Sequence, residues 1–180
     1  LNAGSIDCVW NGFTANTADT DGVARADKVD FSYNYMKNQQ VVVVKKDSGI
    51  ATAADLNGKF GVAESGSAGE AYAKAFEGTA FKGFTKQVDC LTEVKSKTAD
   101  FAVLDAQLAK SYCGKGNYAD LQILEGASYG DEIFAVGIRK GSDIKAELDK
   151  FLKAKYADGT MKTLSEKYDS AIVINEDALK

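Results

Sequence analysis

The sequence predicts an α/β fold, with parallel sheets built from strand–helix–strand units, on three observations. From Val41 onward, apolar runs of strand length alternate with helical patterns, the order that crossover connections produce. Ile144, Leu148, Phe151, Leu152 and Tyr156 recur at the spacing of one helix face. The 180 residues are 45% hydrophobic and 27% charged, ordinary for a chain that can bury a core.

The chain opens with Leu1-Asn2-Ala3-Gly4, which reads as the end of a helix with a glycine exit, followed by a buried strand through Cys8-Val9-Trp10. Residues 15–24, between Thr14 and Arg25, are rich in Asp, Asn, Thr and Gly and predict an exposed, mobile loop. Val41 to Val44 and Lys59 to Ala63 read as strands, and Gly69 to Phe76 as a helix. Thr85 to Cys90 reads as a strand, Leu91 to Lys97 as a short helix and Ala99 to Leu104 as a buried strand. Ala106 to Cys113 is helical, Asp120 to Leu124 extended and Ile133 to Ile138 a long apolar strand. The closing helix is capped by Ser142 and stops near Gly159.

Composition excludes several functions. There is no histidine, so imidazole-based triads and His-zinc sites are ruled out. Cys8, Cys90 and Cys113 follow no metal-ligand spacing; they read as buried or half-buried thiols, with a Cys90–Cys113 bridge as the alternative. A net charge of −4 gives no footprint for nucleic acid. Asp19-Thr20-Asp21-Gly22 lacks the remaining ligands of a calcium loop, so no metal and no cofactor are expected. No apolar run reaches the roughly 18 residues of a membrane span, and no signal-peptide pattern is visible.

Arg25 is one of two arginines beside twenty lysines. A guanidinium grips a carboxylate through two parallel hydrogen bonds, which lysine cannot copy, so Arg25 reads as a recognition residue rather than a surface ion pair. It sits in Asn11-Gly12-Phe13-Thr14 … Arg25 … Val29-Asp30-Phe31-Ser32, six residues before Phe31. This stretch resembles the signature of the polar amino-acid-binding proteins of ABC importers, solute-binding proteins of the periplasmic-binding-protein-like type II fold. Further matches follow in family order: Val41 to Lys46, Ala54 to Lys59, Gly61 to Ser67, Ala99 to Asp105, Ala135 to Gly141, and Asp158-Gly159-Thr160 … Glu166-Lys167-Tyr168. The 15–24 insertion is longer than the family's connection at that point.

The resemblance implies two lobes, an incomplete one from 1–38 and 134–180 and a complete one from 39–133, joined by two hinge crossovers. It also implies an N-terminal truncation, since the family places a strand–helix–strand unit and a secretion signal before this point. An unpaired sheet edge there favours a homodimer through the truncated lobe. The ligand, a free polar or charged L-amino acid, would lie in the interlobe cleft, at the carboxyl ends of strands. Its carboxylate would meet Arg25, the Thr14 hydroxyl and the N-terminal turn of the Ser67-Ala68-Gly69-Glu70 helix; Ser67 alternatively only caps that helix. Its ammonium would meet Asp105 and the Gly12 carbonyl, with capping of the next helix as the alternative for Asp105. Trp10 is an aromatic wall or core, Phe13 reads as core, Tyr33 and Tyr35 are weaker wall candidates, and Asn11 is a polar contact or a local turn bond.

The implied function is extracytoplasmic capture for an ABC permease, with the protein periplasmic or lipid-anchored as a lipoprotein. Two alternatives remain. One is the amino-acid sensor module of a signalling receptor. The other is a dehydratase-type enzyme with Asp105 or Glu64 as acid or base.

Overall fold

Four consecutive valines, Val41 to Val44, are all buried because the sheet they enter is covered on both faces. They belong to β2 (Asp30–Lys45), a 16-residue strand. The computed structural model describes residues 1–19 and 21–172. It divides into two compact units, Leu1–Asn38 with the chain from Asp131 onward, and Gln39–Gly130. Two long strands, β2 and β6 (Leu121–Ile138), carry the chain from one unit to the other.

The unit formed by Gln39–Gly130 orders its strands β2-β5-β3-β4. β5 (Phe101–Asp105) lies antiparallel to β2, placing Gln40 opposite Asp105 and Val44 opposite Phe101. β3 (Phe60–Glu64) runs parallel to β5 and to β4 (Ala80–Phe84). Successive side chains of a strand point to opposite faces. Val41, Val43, Val62, Ala102 and Leu104 therefore pack on one side with Leu91 and Val94 of α3 (Gln87–Lys95). Val42, Val44, Ala63, Phe101 and Val103 pack on the other with Leu56 and with Ala73 of α2 (Ala68–Ala75).

Thr85 to Cys90 is not a strand: α3 begins at Gln87, and the strand lies earlier, at β4. Cys90, Leu91 and Val94 are buried together, the i, i+1, i+4 pattern of a helix face. β4 is half-buried and carries Lys82 and Gly83, so its apolar signal is weak.

In the other unit, β1 (Cys8–Val9) pairs antiparallel with the end of β6, Cys8 opposite Ile138. Beside β2 lies β7 (Ala171–Ile172). A single turn, α1 (Arg25–Lys28), precedes β2. Two helices, α5 (Ile144–Ala157) and α6 (Thr160–Tyr168), pack through Leu152 and Met161 against Tyr33, Tyr35, Leu148 and Ile172. Gly159, at φ 79°, makes the turn between them, a conformation that favours glycine. The residue preceding α5 is Asp143 rather than Ser142; the Ser142 hydroxyl accepts instead from the Ile144 N–H at 3.4 Å. Leu1 to Gly4 form a turn closed by Gly4 N–H on the Leu1 carbonyl (2.9 Å), not the end of a helix. The strand after it is half-buried.

Candidate functional site

The first group of predicted residues gathers around the turn after β1. The Asn11 carbonyl accepts two hydrogen bonds of 2.6 Å, from the Phe13 N–H and from the Tyr35 hydroxyl. Burial pushes that tyrosine up to about 12. Thr14 is buried and pairs with Phe134 of β6, while Ala15 N–H reaches the Ile133 carbonyl at 2.7 Å. The turn is thus fixed to a core strand at its far end.

Arg25 meets this turn in two ways. Its Nη1 donates to the Thr14 carbonyl at 3.1 Å, and its guanidinium carbon lies 5.0 Å from the centre of the Phe13 ring. That ring rests against Phe31 at 5.3 Å and over Gly137, where an added Cβ would approach it to 2.7 Å. Phe13 is thus half-buried packing beneath the cation, and the stacked contact stabilises Arg25 by an amount on the order of 0.5–1 kcal/mol. The structure brings Arg25 to the Thr14 main chain. Arg25 also lines a depression of about 400 Å³ with Leu1, Asn2, Phe13, Asp19, Lys28 and Val29. Trp10 is exposed, its ring 6.3 Å from Tyr35, and Gly12 is exposed at the turn.

The 15–24 insertion is exposed over much of its length but organised. Ala18 bridges Ala24, and Arg25 N–H returns to the Thr17 carbonyl at 3.1 Å, so the segment closes as a hairpin. Asp19 Oδ1 accepts from the N–H groups of Asp21 and Val23 at 2.9 and 3.0 Å, and its other oxygen pairs with Lys28. Those bonds, the lysine's foremost, hold the Asp19 carboxyl below the usual carboxylate range. Thr20 lies outside the described residues. Sequence reasoning missed Asn16, whose amide donates to the Asp131 carbonyl (2.7 Å) and accepts from the Ile133 N–H (3.0 Å), imitating a strand partner.

The second group lies at the carboxyl ends of β3 and β5. Asp105 precedes α4 (Ala106–Tyr112) in the capping position, yet its carboxylate makes no capping bond to that helix. Instead Oδ1 accepts from Gln40 Nε2 at 2.7 Å and Oδ2 from Gln87 Nε2 at 2.6 Å, while Gln87 Oε1 accepts from the Asp105 N–H at 2.9 Å. Neither glutamine was marked by any sequence signal: Gln40 looks like the polar edge of a valine run, Gln87 like the first turn of a surface helix. Ser67 caps α2, its hydroxyl accepting from the Glu70 N–H at 3.2 Å. The reciprocal bond shifts by one residue, Glu70 Oε2 accepting from Gly66 N–H at 2.6 Å. Helical geometry leaves the N–H groups of Ala68 and Gly69 without an intrahelical acceptor. Gly69 seats this turn against β5: an added Cβ would lie 2.7 Å from the Val103 carbonyl oxygen and 2.8 Å from Gln40 Oε1. Gln40 therefore stands between the α2 turn and Asp105. Glu64, ending β3, has its carboxyl raised by burial, against a hydrogen bond from Gln87 and with the Asp105 charge adding to the rise.

A guanidinium over an aromatic ring suits a carboxylate, and an aspartate clasped by neutral amides suits a cation. Among the described residues no group of His, Cys, Asp and Glu could hold a metal ion. Cys8, Cys90 and Cys113 are unbridged thiols.

Residues 1–171 match the model of a family described as bacterial extracellular solute-binding proteins, family 3. The arginine-binding extracellular protein ArtP of Bacillus subtilis is 28% identical over 173 residues, 93% of this chain and 65% of that protein. The chain thus spans slightly less than two thirds of that relative's length. The crystal structure of the arginine-, lysine-, histidine-binding protein ArtJ of Geobacillus stearothermophilus superposes with a TM-score of 0.80 at 25% identity, covering 93% of this chain and 71% of that one. An ancestral amino acid-binding protein described as a precursor of cyclohexadienyl dehydratase superposes at 0.77 with 29% identity, covering 93% and 70%. These neighbours bear out the α/β, periplasmic-binding-protein-like type II fold that the motifs implied, over the part of their length that this chain covers.

Proposed function

The chain belongs to the bacterial extracellular solute-binding proteins of family 3, and from that premise we propose that it binds a polar or charged L-amino acid and delivers it to an ABC importer. Arg25 takes the ligand carboxylate, with the Thr14 turn, the Ser67 hydroxyl and the Ala68 N–H as further donors. Asp105 takes the ammonium, assisted by the Gly12 carbonyl. Trp10 and Asn11 contribute at the rim. The protein works outside the cytoplasm, periplasmic or lipid-anchored, with a permease as partner, and does no chemistry on its ligand. One observation supports this reading above the others: Asp105, at a strand's carboxyl end, is held by two side-chain amides instead of capping the helix it precedes.

L-Arginine is the first ligand to test, because ArtP and ArtJ are described as binding it. Calorimetric titration of the full-length protein with the twenty L-amino acids is expected to give saturable binding of at least one basic or polar member. Arg25→Ala is expected to weaken it by about 2–5 kcal/mol, the usual result of removing one partner of a desolvated charge pair. No binding by the parent, or equal affinity in the variant, overturns the assignment.

The raised Glu64 carboxyl beside Asp105 favours one second reading, elimination from a small carboxylic acid with Glu64 or Asp105 as acid or base. Mass spectrometry of bound ligand after long incubation separates the two: recovery unchanged supports binding alone.

A further inference from the structure

Gln87 makes two contacts that no surface glutamine needs. It is the first residue of α3, yet its side chain turns to the end of β5 and holds Asp105 at two points, accepting from the main-chain N–H at 2.9 Å and donating to Oδ2 at 2.6 Å. A side chain bound both to its neighbour's backbone and to that neighbour's carboxylate fixes the torsions between them. Gln40 donates to the other oxygen at 2.7 Å from the opposite strand, where it is directly paired with Asp105. Gln40 is 3% exposed, so its amide is held by packing as well as by bonding. The two amides approach the carboxylate from different elements, one from β2 and one from α3, which sets the plane of the carboxylate and not merely its position.

Both donors are neutral. An arginine or lysine in either place would orient the carboxylate equally well but offset its charge, whereas an amide adds no charge of its own. Glu64 ends the neighbouring parallel strand, and the Asp105 charge helps to raise its carboxyl. Removing Gln87 would leave Asp105 free to rotate toward the N–H groups of α4, the capping role open to any aspartate before a helix.

We infer that Gln87, with Gln40, is a positioning residue that sets the direction of the Asp105 carboxylate toward the ligand's α-ammonium. This rests on the amino-acid-binding reading above. A bond to a charged group contributes about 1.5–3 kcal/mol, so loss of its alignment converts to roughly tenfold or more in affinity.

The test is a double-mutant cycle on the full-length protein with two probes, L-arginine and 5-guanidinopentanoate, which lacks only the α-ammonium. Gln87→Ala is expected to weaken L-arginine about tenfold, leave 5-guanidinopentanoate unchanged, and have no further effect in an Asp105→Asn background. A general loosening of the fold would weaken both probes in both backgrounds, and that result overturns the inference. So does unchanged L-arginine affinity in Gln87→Ala when Asp105→Asn abolishes binding; the functional reading then stands without it. If the parent binds none of the twenty L-amino acids, or Asp105→Asn binds L-arginine as the parent does, the assignment of Asp105 falls first and the inference with it; if the parent binds a different amino acid, that amino acid and its des-amino analogue are the two probes. Gln40→Ala, tested alongside, is expected to reproduce the discrimination between the two probes.

Discussion

Gly69→Ala tests whether the N-terminal turn of α2 is seated as described. In an isolated helix this exchange stabilises, by about 0.5–1 kcal/mol. Here the new methyl would stand 2.7 Å from the Val103 carbonyl oxygen and 2.8 Å from Gln40 Oε1. A carbon resting on a carbonyl oxygen needs about 3.3–3.6 Å, so the turn must retreat by roughly 0.6–0.9 Å. The Val103 oxygen is backbone within a core strand and cannot yield as a flexible side chain would. Overpacking of this kind costs about 1–3 kcal/mol, which leaves a net loss of roughly 0.5–2 kcal/mol, or about 2–6 °C in Tm for a chain of this size. Urea unfolding followed by circular dichroism measures it, with Ala71→Gly, at an exposed position of the same helix, giving the propensity term alone. The same retreat would move the Ser67 and Ala68 donors and disturb Gln40, so ligand affinity should fall with stability. A Gly69→Ala protein more stable than its parent by the propensity term would refute the seat.

Leu91→Ala, which empties a fully buried site between α3 and the sheet, is expected to cost about 2–5 kcal/mol in urea unfolding. Burial pushes the thiols of Cys90 and Cys113 up to about 12 and about 11, so the native protein should resist iodoacetamide at Cys90 until it unfolds; prompt modification of that residue contradicts its placement. Asp158 is drawn down to about 2 from 3.8 by hydrogen bonds from Lys155 and Thr160. Its folded value lies below its unfolded one, so its contribution is present above about pH 4 and lost as pH falls toward about 2. Asp158→Asn should flatten the acid limb of stability in that window, and an unchanged limb counts against the bonds. Glu64 runs the other way: its raised folded value means that ionisation opposes folding as pH climbs above the ordinary range near 4.5. Glu64→Gln is expected to raise the urea midpoint near pH 7 and not below about pH 4.

What the sequence revealed follows from how each element is buried. Val41 to Val44 and Phe101 to Leu104 are legible because both faces of their strands are covered, so every position is apolar. The helix through Leu148 and Leu152 is legible because one face alone is covered. β4 is not, since an edge strand holding Lys82 and Gly83 has little apolar content to alternate. The polar half of β2 is likewise silent, because Ser32 and Asn38 are buried there as hydrogen-bonding groups: Ser32 takes the Val136 N–H at 3.0 Å, and Asn38 donates to Glu132 at 2.6 Å. Residue type alone does not announce that. In the candidate site, Arg25, Asp105 and Ser67 stand out because their chemistry is scarce or their position closes a strand or opens a helix. Gln40 and Gln87 do not, since their importance lies in which atoms the fold brings within 3 Å of Asp105.

The insertion before Arg25 shows why length in the chain is a poor guide to geometry in the site. Ten residues separate Thr14 from Arg25, and a loop of that composition looks free to carry the arginine away. Loop closure, however, depends only logarithmically on length, about 0.6 kcal/mol for each doubling, so the added residues are a small thermodynamic burden. What decides the position of Arg25 is where the ends are tied. Thr14 is tied to Phe134, Asn16 to Asp131 and Ile133, and the Arg25 N–H to Thr17. Between Thr17 and Arg25 the chain makes a hairpin held by Asp19 and Lys28 and returns almost to its starting point. The arginine thus enters its turn three residues beyond Thr14 in hydrogen-bonded space, whatever the hairpin contains. Its guanidinium reaches back to the Thr14 carbonyl and the Phe13 ring because those anchors hold, and residues 18–24 are free to vary as long as the Thr17 carbonyl and the Arg25 N–H still meet.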